Sequence, residues 1–497
     1  MLQLNRNWWA GLGNRTALST SVLAVLTILF NAVVFTATNA TSVLISDSWY
    51  FVEYFLMPYY KSGLTLHLLL EKRSAVDHAG PVQKLILLAD SNLFGLDFRT
   101  EGLFSVFIAI LTLGAFGLAT NKYGNTAAAR SARWLAIAAV AAVYFSMNCS
   151  IVFEWPEVSL YFVAFTLVFA FFASAAAALD SGRMWLAGVA TFVCLLCNDD
   201  IGLLAFASVA FMIGFSLLRK QTSTARASAT FAVIVAAMLA SRLIYVIFGS
   251  HFEGGGDSPA ARISGLLSLG IGGLAKAVVI IASSAIVHRS HLSPGPDDGL
   301  HLIQILVALV VLTLHAWFWA AQWRMKASLL GRVALALMVF SYLLAAGILY
   351  GRVSEFGVDY LYSPRYVQLY GLGLIAIVLQ LYLRVVDDSP VATAGLAKAF
   401  LLFLSVGLVC LQIPYAITAW QRTPFVAEYE RNLALQIGQA ADPRNTQPIQ
   451  CLPQIVVCRR AYEQRRNVLE FLKNYQLNVF SPQIQRTRRL EVSERQP

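Results

Sequence analysis

Charge is scarce in this 497-residue chain: Asp, Glu, Lys and Arg together make up 13%, against 58% hydrophobic residues, and the mean hydropathy is +0.64. So few charges cannot clothe a water-exposed surface, which excludes a water-soluble globular enzyme. Cysteine is also sparse. Six residues in so long a chain do not make a disulfide-dense scaffold, and no close Cys/His quartet of the zinc type occurs. Gly254-Gly255-Gly256 lacks the downstream Lys-Ser/Thr and the strand-to-helix setting of a nucleotide cradle, and reads as a flexible loop. No internal repeat announces the inverted halves of a secondary transporter, and no low-complexity linker separates domains. The net charge of +10 is not a nucleic-acid footprint, because the basic residues flank apolar runs; no nucleic-acid partner is expected.

What is present is a series of apolar runs, each close to the roughly 20 residues that a spanning helix requires. They begin near Leu18, Gly102, Trp134, Val158, Met184, Ile201, Ala227, Ile263, Leu300, Gly331, Tyr366 and Ala397. The first follows Arg6 and Arg15 and reads as an anchor; Ala37-Thr38-Asn39-Ala40 imitates a cleavage site, but the apolar core is longer than that of a cleavable signal. Residues 42–100 form a large first loop with no uncharged run long enough to span. The expected fold is therefore an all-α integral membrane bundle of about eleven, alternatively twelve, transmembrane helices. The basic loops around Lys122 to Arg133, Arg183, Arg219 to Arg226, Arg324 to Arg332, and Arg384 to Lys398 should share the cytoplasmic side. They do so only if residues 263–287, which include Gly265, Gly270, Gly272 and Gly273, are re-entrant or lie in the interface; eleven spans are favoured for that reason.

With eleven spans and a cytoplasmic N-terminus, most of the remaining polar chemistry falls on one outer face. It includes the first loop, the Glu154-Trp155-Pro156-Glu157 turn, Asn198-Asp199-Asp200 and the Gly351 to Arg365 loop. The module 1–420 is followed there by a small basic extension, 421–497, with eleven Arg and one Lys against seven acids. Cys451 and Cys458 within it would pair in an oxidising compartment, or stay as two thiols in a reducing one.

Asp47, where the first span emerges, is the candidate general base, since a carboxylate in a partly dry cleft can orient and deprotonate an acceptor hydroxyl. Its competing reading is a helix cap within Ser46-Asp47-Ser48. Asp77 and His78, with Lys84, could contact a phosphate or orient an acceptor. Arg365, followed by Tyr366, and Arg352 are candidate phosphate ligands, because a guanidinium offers a permanently charged planar fork. Arg-Tyr anchoring at a membrane edge is the competing reading, although cations on the outer face run against the positive-inside trend. Asn198-Asp199-Asp200 reads as a turn between helices, Arg242 as an intramembrane charge needing a partner, and Cys194 with Cys197 as core.

A short N-terminus, one span, a large outer loop opening with an acid followed by aromatics (Asp47, Trp49, Tyr50), many further spans and an outer extension together resemble the GT-C superfamily of membrane glycosyltransferases. The resemblance is one of architecture over the whole chain, with residue support at Asp47, Asp77-His78 and the Arg352 to Tyr366 loop. It implies inverting hexosyl or pentosyl transfer from a polyprenyl-phosphate-linked sugar to a glycan, lipid or protein acceptor, with Asp47 as base or acceptor-positioning carboxylate. It further implies a bacterial inner-membrane location with the site facing the periplasm, and membrane lipids as surroundings. Family members that need a divalent metal pair acids closely on the outer face. This first loop has no Asp-x-Asp; Asp199-Asp200 or Glu154 with Glu157 could substitute, but no metal site or other cofactor is specified. The alternative function is a transporter or flippase of lipid-linked saccharides, which would distribute polar groups through the bundle midplane.

Overall fold

The computed structural model describes residues 2–72, 78–124, 126–249, 258–292, 299–386, 391–447 and 449–490; Asp77 and Gly254 to Gly256 lie outside them. Among the described residues there is no β-strand, and ten helices are long and apolar enough to cross a bilayer. The expected all-α polytopic architecture is what the chain adopts.

Helix starts at one end of the bundle follow local capping chemistry. Thr126, Ser223 and Ser328 each accept a hydrogen bond from a backbone N–H three residues on, those of Ala129, Arg226 and Gly331. The Ala-rich helix Ala127–Tyr144 and the helix Pro364–Val386 sit at the centre, with 83% of their apolar windows buried, whereas Thr224–Phe248 buries 11% and turns its apolar side chains outward. Small side chains let the central backbones approach closely: a Cβ on Gly371 would come within 2.9 Å of Val143.

The helix Met184–Leu218 is not one straight rod. A straight helix of that length would be about 52 Å long, yet Arg332 donates both to the Asp180 carboxylate, before it, and to the Gln221 carbonyl, after it, the latter at 3.0 Å. The segment doubles back at Asp199, whose backbone is non-helical (φ 43°, ψ −112°). Glycine at position 202 suits this close approach of the two arms, since a Cβ there would lie 3.0 Å from the Leu195 Cα. The sequence thus holds a two-armed hairpin with Asn198-Asp199-Asp200 at its tip, the turn expected there.

The Gly-rich segment bends in the same spirit. Pro259–Ser268 and Gly270–Ser284 meet at 94°, with Gly270 at φ +62°. Arg262 stacks on Tyr350 at one end of the pair, and at the other His288 Nε2 contacts the Tyr362 carbonyl at 2.7 Å. Tyr350 and Tyr362 belong to the same inter-helix loop region, so the pair enters and leaves at one end of the bundle. Among the described residues, nine single apolar helices and the two arms of the hairpin then make eleven candidate passes.

The basic loops gather at the opposite end, where Gln221 donates to the Met325 carbonyl at 3.2 Å and Arg226 to the Asp180 carbonyl at 2.9 Å. At the loop end, residues of the first loop and of 421–497 share a second apolar core: Val43, Leu44, Trp49, Val52 and Phe55 pack with Leu433, Ile437, Val457, Leu472 and Val479. The Cys451–Cys458 disulfide closes within that tail.

This topology is checked by labelling single cysteines, in a Cys410→Ser background, with a membrane-impermeant maleimide. Ala260→Cys, Ser290→Cys and Arg466→Cys should react from one side, and Ala327→Cys from the other. Reaction of the first two from opposite sides would make the bent pair a true crossing.

Candidate functional site

Asp47 sits at the N-cap position of the short helix Ser48–Phe51, but its side chain makes no capping hydrogen bond, so the cap reading does not describe what its exposed carboxylate does. It is presented by a strained backbone, since Ser46 adopts φ +50°, a conformation that costs a non-glycine residue free energy and is common at functional sites. The next residue, Ser48, donates to Glu157 Oε2 at 3.2 Å, and Gln83 donates to Glu157 Oε1 at 3.3 Å. Asp47 itself lies within Coulombic reach of Glu157. Two carboxylates from residues 110 apart are thereby brought to one place.

One helical turn beyond Glu157 stands Tyr161, and both Arg365 and Arg352 lie within Coulombic reach of its hydroxyl. Arg365 leaves the first turn of Pro364–Val386, hydrogen-bonds to the Tyr360 hydroxyl and stacks on Tyr360 and Tyr366 at 5.6 and 5.2 Å. Its Nε is buried without a hydrogen-bond partner. Arg352 rides on a π-helical turn, Leu349–Val353, and its guanidinium makes no hydrogen bond or ion pair with the described residues. Aromatic faces hold the Arg365 guanidinium without consuming all its donors, which leaves capacity for an anion. The arrangement runs from Asp47 through Glu157 and Tyr161 to Arg365 and Arg352, at one end of the bundle.

His78 belongs to a different group. Its Nδ1 lies 3.4 Å from Asp200 Oδ2 at the hairpin tip, beside Asp199, which pairs with Lys72 at 2.5 Å and Arg242 at 3.0 Å. Arg242 also donates to the Leu195 and Asp199 carbonyls at 3.1 and 3.3 Å, so its partner is the tip of the preceding hairpin. Ligand atoms of His78, Asp199 and Asp200 lie within 4.8 Å of one another, close enough to surround a cation. Lys72 and Arg242, however, already supply positive charge to both oxygens of Asp199, so these residues fit a self-neutralised tip better than a divalent ion. A cavity of about 120 Å³ opens beside them, lined by Leu70, Lys72, Asp199, Arg242, Tyr245 and Gly249.

Lys84 is placed differently from the phosphate contact expected of it. Its buried ammonium donates to the carbonyls of Leu68, Leu69 and Glu71 at 3.0, 3.1 and 2.6 Å, closing the end of the helix Leu66–Leu70. With its hydrogens directed to backbone oxygens, it braces the first loop. Asp77 falls outside the described residues. Tyr161 is absent from the sequence-based candidates, and Glu157 enters there only beside Glu154 as a substitute acid pair for a metal; the available signal is an acid directly after Trp155-Pro156 at the opening of a span on the loop end.

Neither a protein-family model nor a curated protein matches the chain. The geometry of this end of the bundle therefore carries the functional argument.

Within the first loop, Asp90 on the helix Pro81–Leu93 accepts from Thr100 at 2.5 Å, with Glu101 buried nearby. Burial pushes the Asp90 carboxyl up to about 8 from an ordinary 3.8, outweighing the Thr100 hydrogen bond. An acid that holds its proton more tightly folded than unfolded contributes stability that is full below about pH 4 and declines as the pH rises through 8. Asp90→Asn should flatten this decline in thermal unfolding profiles recorded from pH 4 to 8.5. An unchanged slope would mean that Asp90 is ionised throughout. Lys84→Met should lower stability by about 3 kcal/mol in denaturant titrations, as expected when buried acceptors lose a charged donor.

Proposed function

We propose that the chain is an inverting membrane glycosyltransferase that moves a sugar from a polyprenyl-phosphate carrier to a hydroxyl of a glycan, lipid or protein acceptor. The reading extends the resemblance to the GT-C superfamily, and with it a bacterial inner membrane and a periplasm-facing site. The single observation that supports it is a row of groups at one end of the bundle: Asp47, exposed and not spent on capping its helix, is within Coulombic reach of Glu157, and Tyr161, four residues on, is within reach of Glu157, Arg365 and Arg352.

In this mechanism the Asp47 carboxylate takes the acceptor O–H proton as the acceptor oxygen bonds to the anomeric carbon. The bond between that carbon and the phosphate oxygen breaks from the opposite face, inverting the configuration, and polyprenyl phosphate departs with the electron pair. Arg365 and Arg352 stabilise the charge developing on the phosphate, and the Arg365 contribution is already oriented by the tyrosine stack. Tyr366 serves as the stacking support of Arg365. Glu157, holding Ser48 and Gln83, fixes the turn that carries the base. No nucleotide is required.

The test is transfer from labelled polyprenyl-phosphate sugars by the purified, folded chain. Asp47→Asn should lower kcat by about 100-fold or more, and Arg365→Ala by about 10- to 1000-fold. Full transfer by either variant removes its assigned role. Movement of the lipid-linked sugar across vesicles without transfer would identify a flippase instead.

A further inference from the structure

The turn that bears Asp47 is closed locally by the Ser48 N–H on the Ile45 carbonyl at 3.1 Å, and it is also held from far along the chain. Ser46, in its left-handed conformation, donates its N–H to the Gln454 carbonyl at 2.8 Å, and Gln454 lies inside the loop closed by Cys451 and Cys458. Two residues past Cys458, Arg460 pairs with Glu53 at 2.9 Å and stacks on Tyr50 at 5.4 Å. The positions immediately before Asp47 and three residues after it are therefore both gripped from the disulfide loop and its edge. The loop is itself fixed: Leu452 N–H donates to Gln436 on the helix Thr423–Ala440 at 2.8 Å, and Ile455 and Cys458 are buried in the core that contains Trp49 and Val52.

We propose that the Cys451–Cys458 loop, with Arg460, is a positioning element of the transfer site: it sets the direction of the Asp47 carboxylate through the Gln454 carbonyl and the Tyr50 ring. The proposal rests on the reading of Asp47 as the base. A cross-link that served stability alone would leave turnover per folded molecule unchanged, because its effect would lie in the unfolded chain. A positioning loop acts on the transition state instead, where a displacement of the base by about 1 Å costs up to ~100-fold in rate. The arginines that grip the donor phosphate come from other helices, so donor binding should survive loosening of the loop.

The experiment uses the full chain in lipid nanodiscs and compares the parent with the double variant Cys451→Ser/Cys458→Ser, with Arg460→Met, and with Cys410→Ser as a control. Turnover is normalised to folded protein, and backbone amide exchange is followed at Ser46 and through the 46–51 turn. The expected result is a kcat about 10- to 100-fold lower in the first two variants, donor KM within about twofold of the parent, Ser46 exchange at least about tenfold faster, and a control like the parent. If the double variant does not fold, Arg460→Met alone carries the comparison. Unchanged kcat per folded molecule together with unchanged Ser46 protection overturns the proposal. A parent without transfer activity overturns the functional reading instead; exchange at Ser46 then decides the positioning role by itself, supported by loss of protection and overturned by its persistence.

Discussion

A charge carried to the edge of a hydrocarbon slab must be neutralised locally, and this constraint organises both ends of the bundle. At the basic end, buried Arg332 takes the Asp180 carboxylate and the Gln221 carbonyl together, fixing where the hairpin begins and ends. At the opposite end, Arg242 and Lys72 neutralise Asp199 at the hairpin tip. With the hairpin clamped at both ends, the helix Pro364–Val386 and the span opening at Pro156 have their starts, and with them Arg365 and Glu157, at the loop end. The interior of the bundle is left to apolar packing, including the phenylalanine cluster Phe162, Phe165, Phe172 and Phe340.

Much of this fold is written in local pattern. Apolar runs of spanning length, the basic loops between them, and the Asn-Asp-Asp turn are each set by adjacent residues, and the bundle follows them. The bend in the Gly-rich segment was legible for the same reason, because the positive-inside trend has no other consistent solution. Pairings across the chain were not legible. Arg242 plainly needed a partner, but Asp199 lies 43 residues earlier and is presented only once the hairpin closes. Lys84 looked like a phosphate ligand because its sequence neighbours do not reveal the three carbonyls that a folded loop turns towards it. Glu157 hid behind the ordinary role of an acid beside Pro at a helix start, and its link to Asp47 depends on Ser48 and Gln83 arriving from the first loop.

The two polar groups at the loop end differ in character. At the hairpin tip, acids and cations satisfy one another. Along the Asp47 to Arg352 row, carboxylates stand at one end and guanidiniums at the other, with tyrosines between them. Separated charge of that kind is poorly suited to holding a fold together and well suited to a polar substrate whose hydroxyl and phosphate are themselves some distance apart. The backbone has the same character there: the left-handed Ser46 and the π-helical turns Val52–Leu56 and Leu349–Val353 all flank this row.

The apolar core shared by the first loop and the tail has a consequence for how the molecule matures. Asn478, fully buried, accepts from the Leu44 N–H and donates to the Ser42 and Leu96 carbonyls at 3.1, 2.7 and 2.9 Å, while Glu430 accepts from the Ser42 N–H at 2.6 Å. These fastenings reach back across 382 to 436 positions of sequence, so they form only after the helices between have been made. The Asp47 turn has only its local hydrogen bonds until then, and a chain cut before Glu430 would keep the helices of the bundle while losing the clamp on this loop.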